Sequence, residues 1–142
     1  MRPQPLICVS DVEASSRWYQ QLLGISSAHG GPNYERLEQN GKLVLQLHRW
    51  EEEHHHGPIG DVDDPSRGNG VLLWFEVDDF DAALQRVEAL KARVLLPRHR
   101  NPPDFDGGPN HWEVWLLDPD GYKIVLVSPD GTADGTWKPG AE

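Results

Sequence analysis

The chain is poor in cysteine, in positive charge and in long apolar runs. One cysteine, Cys8, among 142 residues leaves no partner for an internal disulfide and fits a reducing compartment. It lies in the apolar run Leu6-Ile7-Cys8-Val9, which makes it a small buried hydrophobe rather than a nucleophile. No apolar stretch approaches the roughly 18 residues of a membrane span. The first residues also lack the charged-then-apolar order of a signal peptide. A cytoplasmic protein with no membrane partner is therefore expected. The 13 Lys and Arg are outnumbered by 23 Asp and Glu, for a net charge of −10, and that field opposes nucleic-acid phosphates. Arg93, Arg98 and Arg100 form the only basic cluster, and it is small.

What the chain does have is an internal repeat. Leu6-Ile7-Cys8-Val9-Ser10 runs into Asp11-Val12-Glu13-Ala14-Ser15, and Leu73-Trp74-Phe75-Glu76-Val77-Asp78 runs into Asp79-Phe80-Asp81-Ala82-Ala83, 68 positions later. Each half closes on a Gly-led apolar strand, starting at Gly41 and at Gly121. A unit of this size cannot bury its sheet alone, so the two copies are expected to share a surface, and between two open sheets that surface is a cleft.

Asp11 is placed to cap a helix whose Val12, Ala14, Trp18, Leu22 and Leu23 recur at helical spacing, and Gly24 stops it. Residues 25–29 and 34–39 read as short strands around Gly30-Gly31-Pro32-Asn33, and Asn40-Gly41 is a hairpin signal into a strand over 42–48. The second half repeats the plan: a strand over 71–78, a helix over 79–91 with Phe80, Ala83, Leu84, Val87 and Leu90 inward, and a strand over 93–96. A Pro- and Gly-rich loop over 97–110 follows, and then a hairpin, 111–117 and 122–127, around Asp118-Pro119-Asp120-Gly121. The expected division is a first βαβββ module at 1–48, a linker at 49–69, a second module at 70–128 and a tail at 129–142, which Trp137 would anchor.

The duplicated plan, the strand ends Val9-Ser10-Asp11 and Glu76-Val77-Asp78-Asp79, the helix end from Trp18-Tyr19 to Leu22-Leu23-Gly24 and the turn Asp118-Pro119-Asp120-Gly121-Tyr122 together resemble the vicinal oxygen chelate superfamily. That group includes glyoxalase I, extradiol dioxygenases, fosfomycin-resistance transferases and bleomycin-resistance proteins. The resemblance covers residues 4 to 128. It implies an α+β fold of two tandem βαβββ modules whose sheets curl into an open barrel around a cleft. In the metal-using members four inward residues chelate a divalent ion. Counting from the repeats puts Gln4, Leu72, Val125 and either Leu45 or Gln46 at those places. Leucine and valine carry no donor and glutamine no charge, so no metal is expected at the family positions. One would be possible only at a non-standard site drawn from His48, His99, His111 and Glu113. The resemblance then favours the metal-free branch, whose bleomycin-resistance members bind a bulky drug at the junction of two chains, and a homodimer is expected.

Strand alternation names the pocket face once one position is set. With Leu72 inward, Trp74 and Glu76 follow it; Leu6 and Cys8 accompany Gln4; Lys123 and Val127 accompany Val125. On the penultimate strand the faces are His111, Glu113, Trp115 and Trp112, Val114, Leu116, with no sign of which looks inward. The expected ligand-binding residues are Gln4, Gln46, His48, Leu72, Trp74, Glu76, Trp115 and Val125, and Trp74 has core packing as its competing reading. Six tryptophans and an acidic field suit an aromatic or cationic small molecule. Glu76, His111 and Glu113 are the candidates for acid-base catalysis. His54-His55-His56 reads as solvated loop histidines, because adjacent residues diverge. Two functions follow: a cofactor-free ligand-binding protein, or a lyase, isomerase or dioxygenase using a non-standard His/Glu site. A structural or regulatory module is the third and is disfavoured by the cleft.

Overall fold

A computed structural model describes residues 1–50, 59–101, 110–129 and 131–133. The His54-His55-His56 run, most of the expected 97–110 loop and Trp137 lie outside the described residues. The chain divides into two compact units, Met1–Arg67 and Gly68–Glu142.

The first unit runs β1 (Leu6–Val9), α1 (Val12–Leu23), β2 (Ser26–Ser27), β3 (Tyr34–Gln39) and β4 (Lys42–Arg49). Its sheet has the order β1-β4-β3-β2, with β1 parallel to β4 and the other pairs antiparallel. Asp11 is the N-cap: its carboxylate accepts the Ala14 N–H at 2.9 Å. Gly24 ends the helix in the left-handed region at φ 66°, where a Cβ would be strained. Asn40 and Gly41 both have positive φ, as a two-residue turn between right-twisted strands needs.

The second unit repeats this as β5 (Leu73–Glu76), α2 (Phe80–Ala89), β6 (Arg93–Asn101), β7 (His111–Leu117) and β8 (Lys123–Val127), in the order β5-β8-β7-β6. Asp79 caps α2 through the Ala82 N–H. The Asp118 carboxylate accepts from the N–H groups of Asp120 and Tyr122 and so shapes the β7–β8 turn. The α+β class and the two tandem βαβββ modules are thus present.

The elements differ from expectation in detail. The buried face of α1 is Val12, Ser15, Ser16, Tyr19, Leu22 and Leu23, while Ala14 and Trp18 are only half-buried. The helix is rotated so that Tyr19 fills the core and Trp18 meets it edge-on, 4.9 Å between ring centroids. In α2, Phe80, Ala83 and Val87 are buried; Leu84 and Leu90 are half-buried. Strand β5 is shorter than 71–78, and β2 keeps two residues of 25–29. Strand β6 is longer, reaching Asn101 through register shifts on both sides of Leu96. Pro97 is accommodated there because an edge strand tolerates a missing N–H at an irregularity. Val94, Leu95 and Leu96 are exposed on this edge, and the irregularities, Pro97 and the neighbouring arginines discourage further strand pairing.

Candidate functional site

In the second sheet Trp74 pairs with Val125 and Glu76 with Val127. Val125 and Val127 pair in turn with Trp115 and Glu113, which face Leu96 and His99. Paired residues share a face, so Trp74, Glu76, Val125, Val127, Glu113, Trp115, Leu96 and His99 lie together. The opposite face carries Trp112, because Arg98 lies over both the Trp112 ring at 4.3 Å and the Phe80 ring of α2 at 6.0 Å. The penultimate strand thus turns His111, Glu113 and Trp115 to the side of Trp74.

Glu113 is the centre of that face. It is 1% exposed and accepts from three side chains, Asn101, His111 and Trp115, with the His99 ring close by. Asn101 Nδ2 at 2.7 Å and His111 Nε2 at 3.0 Å meet Oε1. Trp115 Nε1 at 2.9 Å and His99 Nε2 at 3.2 Å meet Oε2. Burial alone would raise its pKa, but the bonds from Asn101, Trp115 and His111 outweigh burial and hold the carboxyl below its ordinary range. A carboxylate engaged in this way is an anchor for two imidazoles and an indole rather than a free base. Beside it Trp74 is 45% exposed and Leu72 38% exposed, and the Trp74 ring lies 6.1 Å from the His111 ring. Glu76 is exposed at the end of β5. Val125 is fully buried.

In the first sheet Gln46 pairs with Leu6 and His48 with Cys8, and Arg36 and Tyr34 face the same two. Leu45 pairs with Leu37 on the other side, the side where Glu35 reaches Ser16 of α1. Gln46, not Leu45, is therefore the counterpart of Val125. Its amide is engaged at both ends: Tyr34 donates to Oε1 at 2.5 Å and Nε2 donates to the Gln4 carbonyl at 3.1 Å. His48 is buried, with Nδ1 2.6 Å from the Arg49 carbonyl.

The sequence reading missed a second buried carboxylate, Glu35. It accepts from the hydroxyls of Ser16 at 2.8 Å and Ser27 at 2.7 Å and from the N–H groups of His29 and Gly30. Burial pushes its pKa up, yet the bonds from Gly30, Ser27, Ser16 and Arg36 win and lower it to about 2. It pins the β2–β3 turn to α1. No local pattern announces it, because its partners span 19 positions of chain.

These modules and this site define a class. A family model described as the Glyoxalase/Bleomycin resistance protein/Dioxygenase superfamily matches residues 3–126, and the chain belongs to that family. Among solved structures, it is similar to a glyoxalase/bleomycin resistance protein/dioxygenase from Nocardioides (22% identity, TM-score 0.68, covering 100% of this chain and 91% of that one). It is also similar to lactoylglutathione lyase from Agrobacterium tumefaciens (19%, TM-score 0.65, 90% and 92%) and to TioX from Micromonospora sp. ML1 (15%, TM-score 0.68, 91% and 98%). At these identities the likeness is one of fold. No curated protein matches the chain significantly.

The donor set at the four expected metal positions is two amides and two hydrocarbons. Gln46 is already spent on Tyr34 and Gln4, and Leu72 and Val125 have nothing to offer, so this set does not fit a divalent Lewis-acid ion. Of the non-standard candidates, His99, His111 and Glu113 converge, but both imidazoles present Nε2 to the carboxylate. Among the described residues no group of three or more His, Cys, Asp or Glu is arranged to hold a metal. His48 lies in the other unit.

Proposed function

We propose that the protein binds a small aromatic or cationic organic ligand on the face of the second sheet, without a metal at the family's four positions. The observation that carries this reading is Trp74, a large ring left 45% exposed beside Leu72 on a face whose polar residues are locked around Glu113. Exposed aromatic and aliphatic side chains next to a few fixed polar groups are the usual lining of a small-molecule site. Glu76 on the same strand adds negative charge, which favours a cation. Gln46 and His48 of the first sheet, and Gln4 just before its first strand, are the corresponding residues of the first module. The proposed setting is a cytoplasmic homodimer; no helix among the described residues is long and apolar enough to cross a membrane.

A thermal-shift screen of divalent metals, aromatic cations, oxo-acids and thiols tests this, because a ligand of the native state raises Tm whatever its chemistry. An aromatic or cationic compound that raises Tm, and loses its effect in Trp74→Ala, is the expected result. A response to divalent metals alone would overturn it.

The convergence of His99 and His111 on Glu113 favours one second reading: a lyase, isomerase or dioxygenase in which these residues turn to a metal. Elemental analysis of untagged protein decides it, and a stoichiometric ion would promote the enzyme.

A further inference from the structure

On the opposite side of the second sheet, where α2 begins, lies an open recess of about 400 Å³. Its walls include Trp112 of β7, Phe80 of α2, Arg98 of β6, Ser128, and the carboxylates of Asp78 and Asp81. None of these belongs to the face described above, and the proposed function does not use them.

Arg98 is held in an unusual way. Its Cζ lies 4.3 Å from the centre of the Trp112 ring and 6.0 Å from that of Phe80, which holds the cation against the two rings. Its one ionic neighbour among the described residues, Asp81 Oδ1, stands at 3.6 Å, beyond hydrogen-bond reach. A planar guanidinium held against two rings, and 3.6 Å from the Asp81 carboxylate rather than hydrogen-bonded to it, is placed to take a carboxylate ligand with two parallel bonds. A simple anion is opposed, because Asp78, Asp79 and Asp81 also line the recess and outnumber the arginine. The ligand must therefore bring a positive charge of its own. The Asp79 carboxylate is engaged as the cap of α2, which leaves Asp78 and Asp81 as partners for that charge. The two rings supply an apolar wall for whatever lies between the charged ends.

We propose that this recess is a second ligand site, for a small amphipathic zwitterion of the α-amino-acid type. The carboxylate sits on the Arg98 fork, the ammonium beside Asp78 and Asp81, and the apolar side chain against Trp112 and Phe80. The volume is at the lower end of what small-molecule sites enclose, enough for one such molecule.

The test is isothermal titration of the whole chain with three matched probes: L-phenylalanine, 3-phenylpropionate, which lacks the amine, and phenethylamine, which lacks the carboxylate. L-phenylalanine is expected to bind, and each half-molecule to bind at least about tenfold more weakly, the worth of one charge-assisted pair. Arg98→Gln and Asp78→Asn should each weaken L-phenylalanine by a similar factor while melting near the wild type, since both side chains are exposed. No heat up to about 10 mM probe, a range that captures millimolar affinity, would refute the site. So would a half-molecule that binds as well as the zwitterion. Binding lost in Trp74→Ala but kept in Arg98→Gln would place the probe on the sheet face and overturn the recess, whereas the reverse pattern supports it whatever the fate of the sheet-face reading.

Discussion

Replacing Glu113 by glutamine keeps the shape of the side chain and removes half of its accepting power. The carboxylate receives N–H groups from Asn101 at 2.7 Å, Trp115 at 2.9 Å and His111 at 3.0 Å, and His99 Nε2 stands 3.2 Å from it. A glutamine has one oxygen. Turned toward Asn101 and His111, it leaves its own NH2 against the Trp115 indole, so that two donors face each other in a place 1% exposed to water. Each orphaned donor costs about 1–2 kcal/mol, so Glu113→Gln should lose about 2–4 kcal/mol. For a chain of this length that lowers Tm by about 6–12 °C. Glu113→Ala strands the three donors Asn101, His111 and Trp115 and should lose about 3–5 kcal/mol. Urea unfolding followed by tryptophan fluorescence reads both, at constant m-value. A loss below about 0.5 kcal/mol in Glu113→Gln, the range of an inert surface change, would show that the carboxylate does not organise this face.

The second carboxylate sets an acid limit. Glu35 has a folded pKa of about 2 against an ordinary value of 4.5, a depressed value, so its contribution is fully present above pH 4.5 and is lost as pH falls toward 2. That gap corresponds to about 3 kcal/mol, and stability measured across this window should have a shallower slope in Ser16→Ala. A slope identical to the wild type would rule out the clasp. Trp74→Ala should leave Tm within a few degrees, because the ring is 45% exposed, yet weaken the ligand by more than about 1 kcal/mol; full affinity in the folded variant would remove Trp74 from the site. Gly41→Ala meets no neighbour within 4 Å but sits at φ 72°, so it should lose about 1 kcal/mol from backbone strain alone. An unchanged urea midpoint would contradict that turn geometry.

Local chemistry was enough to read most of the fold. Asp11 and Asp79 announce helix starts, Gly24 a helix end and Asn40-Gly41 a hairpin, because a cap, a positive φ or a tight turn is satisfied within a few residues and needs no distant partner. The repeat adds the two-module plan for the same reason, since each copy carries its own signals. Packing was legible only in part. Trp18 and Tyr19 are adjacent, and helical periodicity does not say which of the two meets the core; the rotation of α1 decides that. Pro97 reads as a break, yet β6 passes it because an edge strand tolerates an unpaired position. Register decided the rest. Only the pairing of β7 with β8 and β8 with β5 brings Glu113 to the side of Trp74, and only folding joins Glu35 to Ser16. A buried carboxylate is held by donors from other strands and helices, and which donors reach it depends on three-dimensional placement that no local run of residues encodes.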